Sequence, residues 1–229
     1  MTAANVRARV REQLTSEIVD LARRMLTTEG AAALSVRALA RELGMASSAV
    51  YRYFPSRDEL LTVLILEAYN ALGEAAERAE GAVPREDIIG RWRATCLAVR
   101  EWALAHPHEY ALLYGSPVPG YAAPQATIGP ATRVAELFVK LLVDGHAAGR
   151  LAVSAAPDAQ SALAPDVLSR MGPATQADAS LGDRAVLAWV SIYGTISFEL
   201  FGHLHNVVVD YPTFFDHAID RLADMIGLR

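Results

Sequence analysis

The sequence predicts an all-α fold, and three observations carry the prediction. Alanine is abundant and runs of β-branched residues are scarce, which favours helix over strand. Apolar residues return at helical spacing through most of the chain. Capping residues open these stretches, and glycine or proline closes them. With 52% hydrophobic and 21% charged residues, the 229-residue chain can bury a sizeable core in one or two domains.

Residues 1–9 show no apolar period and read as an arm carrying Arg7 and Arg9, with Arg11 just beyond. These arginines suit a solvated terminus, or an arm that reaches phosphates or a minor groove. Leu14, Ile18, Leu21 and Met25 then form one stripe of a helix that ends near Gly30. Ser35 is a good N-cap, and Ala38, Leu39 and Leu43 follow it at helical spacing. Gly44 stands where a helix end needs a left-handed residue. Ser47 is placed to cap a second short helix, with Val50 and Phe54 on one face and Ser48, Tyr51 and Arg52 on the other. Pro55 ends it. Ser56-Arg57-Asp58-Glu59 is a capping box that opens the next helix before Leu60 and Leu61.

Two short helices joined through a glycine form a helix-turn-helix pattern, whose second helix enters the DNA major groove. Ser47 and Ser48 offer hydroxyls, Tyr51 and Tyr53 offer flat rings, and Arg52 and Arg57 offer charge. Spacing alone also fits an ordinary helical hairpin. The residues go further: Ser35-Val36, Leu39-Ala40, Leu43-Gly44-Met45, Val50-Tyr51, Tyr53-Phe54, Ser56-Arg57 and Leu60 closely resemble the DNA-binding segment of the TetR family of transcriptional regulators. Arg57 stands where that family usually has lysine. The resemblance implies a DNA interface of Arg37, Ser47, Ser48, Ala49, Tyr51, Arg52, Tyr53 and Arg57. It implies two parts: an arm and helix-turn-helix DNA-binding domain over 1–56, and a larger helical body for ligand binding and dimerisation over 57–229.

A long helix is expected over about 57–80, with Leu61, Leu64, Ala68 and Leu72 as its buried stripe. A helix over about 85–106 aligns Ile88, Trp92, Thr95, Val99 and Trp102. Trp92, Cys96 and Trp102 suit either cavity lining or plain core packing. Residues 116–130, with four prolines, read as a loop before a helix over about 131–149 bearing Val134, Phe138, Leu141 and Gly145. Residues 152–180 should hold one short helix near 158–171 between flexible ends. The stretch 182–206 is apolar on two faces, so one face can meet the core and the other a second subunit. A last helix is expected over 212–227.

Trp189-x-x-x-Tyr193-Gly194-x-x-x-Phe198-Glu199-x-x-Gly202 is similar to the C-terminal domain of one TetR subgroup, many of whose members have histidine at the position of Tyr193. In the family the last two helices pair with their copies, which implies a homodimer interface of Val190, Ser197, Leu200, Phe215, Ile219 and Leu222. The resemblance implies a small ligand, and its candidate lining of Leu64, Ala68, Leu72, Trp92, Cys96, Val99, Trp102, Phe138, Trp189 and Tyr193 is apolar and aromatic with few charges, which suggests a hydrophobic or amphipathic molecule. The implied function is a repressor that leaves double-stranded operator DNA when the ligand binds.

The net charge of −5 argues mildly against nucleic acid, but residues 1–60 carry +2 and the remainder −7. A basic module on an acidic body suits DNA binding with little non-specific adhesion. One cysteine, Cys96, excludes an intrachain disulfide. No apolar run reaches membrane-spanning length and the N-terminus lacks a signal-peptide core, so a cytoplasmic protein is expected. His106-Pro107-His108 and the pair His203 and His205 lack ligand geometry, so neither metal nor cofactor is expected. No phosphate loop, nucleophile elbow or H-E-x-x-H motif marks an enzyme. A helical protein-interaction adaptor or a regulator without a ligand are the alternatives.

Overall fold

The computed structural model describes residues 3–152, 161–171, 175, 178 and 180–229. Among the described residues stand ten α-helices: α1 (Ala3–Glu29), α2 (Val36–Glu42), α3 (Ser47–Val50), α4 (Arg57–Gly81), α5 (Ile88–Ala105), α6 (Pro107–Tyr114), α7 (Ile128–Ala147), α8 (Pro165–Arg170), α9 (Ser180–Leu200) and α10 (Tyr211–Ile226). The fold is all-α. Two compact units divide the chain, Met1–Asn70 with His106–Pro130 and Ala71–Ala105 with Ala131–Arg229. Residue 57, the expected boundary, starts α4, whereas the units part within that helix.

The first unit is built on one core. Ile18, Ala22 and Met25 of α1, Val36, Leu39 and Ala40 of α2, Val50 and Phe54 around α3, and Leu60, Leu61 and Leu64 of α4 are buried together. Each such large apolar side chain contributes about 1.5–3 kcal/mol on burial. At the surface Arg23 of α1 pairs with Glu67 of α4 at 2.7 Å and with Asp20 at 2.8 Å. These pairs are exposed and therefore weak.

Two elements differ from the sequence expectation here. Residues 3–9 are the first turns of α1, not an irregular arm. Alanine and arginine favour helix, and extending an anchored helix avoids the cost of nucleation. Pro107 starts a helix rather than merely ending one, because at the first helical position its missing N–H costs nothing. In α6 Tyr110 is buried, and Leu112 rests on the core of the first unit.

In the second unit α9 and α10 pair, and both pack on α5. The Trp92 indole donates to the carbonyl of Ile219 at 2.9 Å, tying α5 to α10, and its ring meets Phe138 of α7 at 5.1 Å. Arg100 of α5 and Glu199 of α9 form a two-pronged pair at 2.8 and 2.6 Å. Arg91 is a deeply buried charge, only 2% exposed. Its Nε donates to Glu80 at 2.8 Å, one Nη donates to the Arg85 carbonyl at 3.0 Å, and the other lies 2.9 Å from Asp144. After Gly227, in the left-handed region, the tail pairs with the strand-like segment behind α7: the Ala152 N–H donates to Gly227 and the Arg229 N–H to Arg150.

α9 stops at Leu200, short of the expected 206. Gly202 takes φ 78° and Asn206 φ 63°, so the segment holding His203 and His205 is a run of turns and not a helix. α8 is the described part of the short helix expected near 158–171; residues 158–160 lie outside the described residues.

Candidate nucleic-acid interface

The geometry of the interface follows from the caps around α2. Ser35 accepts from the Ala38 N–H at 3.1 Å, a bond of about 1 kcal/mol for such caps. At the other end the Met45 N–H donates to Ala40 and the Gly44 N–H to Arg41. This is a Schellman stop, and it requires the φ of 63° that Gly44 adopts. The chain then turns into α3 after Ala46, which is the N-cap and supplies no side-chain bond. Ser47 is thus the first helical residue and not the cap that its sequence position suggests, which leaves its hydroxyl on the exposed surface.

α3 is held from one side only. The helix expected to run on to Pro55 ends at Val50, and Tyr51 to Tyr53 form a turn; Val50 and Phe54 are buried, while Ser47 and Ser48 of α3 and Tyr51 and Arg52 of the turn stand at the surface. Ala49 and Tyr53 are half-buried beside them, and Arg37 is exposed on α2. The guanidinium of Arg11, from α1, lies 5.8 Å from the Tyr53 ring centroid. Arg57 departs from the expected set. Its Nε donates to the Leu34 carbonyl at 2.9 Å and an Nη to the Ala31 carbonyl at 2.9 Å. These bonds fasten the α1–α2 connection to the start of α4, so the residue is a clasp inside the module. Sequence reasoning counted its charge and missed the carbonyls exposed by the short helix at Ala31–Ala33.

In the body, the residues expected to line a ligand site divide into two sets. Leu72, Trp92, Cys96, Val99 and Trp102 are buried in the second unit, and Leu64 and Ala68 are buried in the first. Burial pushes the Cys96 thiol well above its ordinary pKa, so it is a packing residue and not a reactive thiolate. Phe138 and Trp189, by contrast, line an open groove of about 660 Å3 among α7, α8 and α9. Its walls include Ala135, Val139, Leu142, Val167, Met171 and Ala185, with Glu136 and Arg170 as its charged members. Beneath it a void of about 10 Å3 is lined by Trp92, Phe138, Leu142 and Trp189. Tyr193, buried, meets the Trp189 ring edge-on at 5.7 Å.

The expected dimer residues also divide. Val190 is 53% exposed, and Ser197, Leu200 and Leu222 are half-buried. Phe215 and Ile219 are corrected to core positions: at 1% and 0% exposed they have no surface left for a second chain. Their neighbour Phe214 is exposed instead. On α9 and just after it, Leu187, Val190, Phe198 and Phe201 are exposed at spacings of three, eight and three, which places them on one side of the helix.

A module of this shape, with a short helix gripped from behind and hydroxyl, ring and guanidinium groups on its outer face, is a helix-turn-helix DNA-binding domain. Residues 18–64 match the family model described as bacterial regulatory proteins, tetR family, and residues 92–222 match the tetracyclin repressor-like C-terminal domain. The chain belongs to the TetR family of transcriptional regulators. It is 44% identical over 221 residues to an HTH-type transcriptional regulator of Mycobacterium tuberculosis, covering 95% of this chain and 94% of the relative. The candidate regulatory protein SCO4313 superposes with a TM-score of 0.72 at 30% identity, over 95% of this chain and 98% of that one. The TetR family regulator PfmR of Thermus thermophilus shares the fold, with a TM-score of 0.56 at 19% identity over 92% and 96% of the two chains. No described helix is long and apolar enough to cross a membrane.

Proposed function

We propose that this TetR-family regulator is a cytoplasmic homodimeric repressor that binds double-stranded operator DNA and releases it on binding a small hydrophobic ligand. The observation that carries the DNA reading is the outer surface of α3 and the turn after it, where Ser47, Ser48, Tyr51 and Arg52 stand exposed and Val50 and Phe54 are buried. Arg37 supports them from α2. A mobility shift with the DNA upstream of the protein's own gene tests it. A retarded complex competed only by that fragment supports the reading, and no preference over unrelated DNA rejects it.

The homodimer reading rests on the apolar stripe of Leu187, Val190, Phe198 and Phe201, with Phe214 on α10. Soluble monomers rarely leave such a patch open, and a two-fold pair covers it on both copies. Val190→Asp places a charge at its centre. Sedimentation at micromolar concentration is expected to give a dimer for the wild type and a 24.7 kDa monomer for the variant. A wild-type monomer rejects the reading.

The ligand reading rests on the groove among α7, α8 and α9, whose walls are mostly apolar and include Phe138 and Trp189. A ligand lowers DNA affinity only by its differential affinity for the form that does not bind DNA. A thermal-shift screen of small hydrophobic compounds should find one that raises the melting temperature and weakens the DNA complex. Ala135→Trp fills part of the groove with an indole. This variant is expected to keep DNA binding and lose the ligand's thermal shift; a full shift in the variant moves the site elsewhere.

A further inference from the structure

In the first unit a cleft of about 350 Å3 lies between the end of α1 and α6. One wall is Leu26, Gly30 and Ala31, at the end of α1 and the start of the turn after it. The other is Ala111 and Leu112 of α6, with Pro117, Val118 and Pro119 behind that helix. Ala31, Leu112 and Val118 also pack on the buried core of the unit, so the cleft lies directly over that core. Both walls are fastened to α4. The Arg57 guanidinium donates to the Ala31 carbonyl at 2.9 Å. On the other side the Tyr121 N–H donates to the Val118 carbonyl at 3.1 Å, and the Tyr121 and Thr62 hydroxyls share a hydrogen bond at 3.0 Å. The two walls therefore hang from one support, and the cleft is formed before a guest arrives, which spares the cost of ordering it on binding.

The volume falls in the range of small-molecule sites, about 300–1,000 Å3. The mainly apolar lining matches them as well. Among the lining residues only His108 and Ser116 have polar side chains, and none is an acid, a lysine or an arginine. Pro117 and Pro119 also lack backbone N–H groups, which leaves few donors for an anion. A charged guest would lose its water without gaining a partner. An apolar ring with one hydroxyl meets the site on both counts: the ring lies against Leu112 and Val118, and the hydroxyl reaches His108 or Ser116.

We propose that this cleft is a binding site for a small uncharged aromatic or alicyclic alcohol, separate from the groove among α7, α8 and α9. The two share no lining residue, and the proposal stands whether or not that groove takes a ligand. None of the residues assigned to the DNA face lines the cleft, so an occupant leaves that face free. It touches instead Gly30 and Ala31, in the connection that leads into α2.

The test titrates the full chain, methyl-labelled at leucine and valine, with 2-naphthalenemethanol and follows the methyl signals by nuclear magnetic resonance. The methyls of Leu112 and Val118 are expected to shift saturably. Ala111→Phe, which fills the cleft from α6, and Ser116→Phe, at its exposed rim, are each expected to abolish those shifts. 2-Naphthoate, with the same rings and a negative charge, is expected to bind about tenfold more weakly, because its carboxylate gains no partner. No saturable shift at Leu112 and Val118 overturns the proposal. Shifts confined to Val139 and Val167 place the molecule in the other groove and also overturn it. So do shifts at Leu112 and Val118 that persist in either folded variant, and so does equal or tighter binding of 2-naphthoate. Should Ala111→Phe fail to fold, the rim variant and the wild-type titration still decide the matter.

Discussion

Replacing both Tyr51 and Arg52 with alanine is expected to lower operator affinity by about a hundredfold while leaving the melting temperature unchanged. The two side chains are exposed in the turn that follows α3, and neither belongs to the buried set that holds the helix in place. A well-made base-edge contact is worth about 1–3 kcal/mol, so losing two gives roughly two powers of ten. Stability should be indifferent because Val50 and Phe54, on the other face, are untouched. Fluorescence anisotropy with the upstream fragment measures the affinity, and the same variant on a mixed-sequence duplex should lose far less. Equal losses on both probes would make these residues backbone contacts. An unchanged operator affinity would move the recognition face off α3.

Arg91→Leu is expected to produce the largest stability loss of any single substitution in the second unit, about 3–5 kcal/mol, because it strands buried charge. Glu80 is nearly as deep as its partner, and Lys140 reaches it only at 3.3 Å. Urea denaturation should show the loss as a lower midpoint. The pH dependence should change sign as well. In the wild type, burial pushes the Glu80 carboxyl up, but the hydrogen bonds and charge of Arg91, helped by Lys140, outweigh it and hold the group below its ordinary value of 4.5. A lowered carboxyl pKa gives stability that is present above that ordinary value and lost as pH falls through the lowered one. Without Arg91, burial dominates and Glu80 titrates above its ordinary value. The variant should then gain stability, relative to its own value at neutral pH, as the medium is acidified toward 4.5. A variant that follows the wild-type profile would show that Lys140 alone keeps Glu80 charged.

The helix-turn-helix module is legible almost residue by residue, because local signals decide it. Ser35, Gly44, Ser56 and the Val50 and Phe54 pair are each read from a few neighbours, and the structure puts Ser35, Gly44 and Ser56 to the uses their chemistry suggests. Ser47 reads as a cap, yet Ala46, which cannot cap with its side chain, occupies that place. Arg57 shows the limit of reading charge. Its position matches a DNA-binding lysine, yet the carbonyls it serves come from residues more than twenty positions earlier. The body is harder for the same reason. Phe214 and Phe215 are adjacent and chemically identical, and only the packing of α10 on α5 decides that Phe215 is inside. Phe138 and Trp92 both read as cavity candidates, but what opens on Phe138 is a groove built with α8, a short element whose sequence carries no sign of a binding wall.

The two-pronged pair of Arg100 and Glu199 has a consequence for how this chain can change over time. Both partners are about nine-tenths buried, at 10% side-chain exposure each. Losing either one leaves a buried charge alone, whereas exchanging both for well-packed apolar residues can be neutral or better. The two positions therefore behave as one inherited character. A lineage that replaces one must pass through a poorly folded intermediate unless the other changes almost at once, and the pair couples sites ninety-nine residues apart in sequence. Among relatives, an apolar residue at the position of Arg100 should be accompanied by an apolar residue at that of Glu199, with half-exchanged pairs scarce.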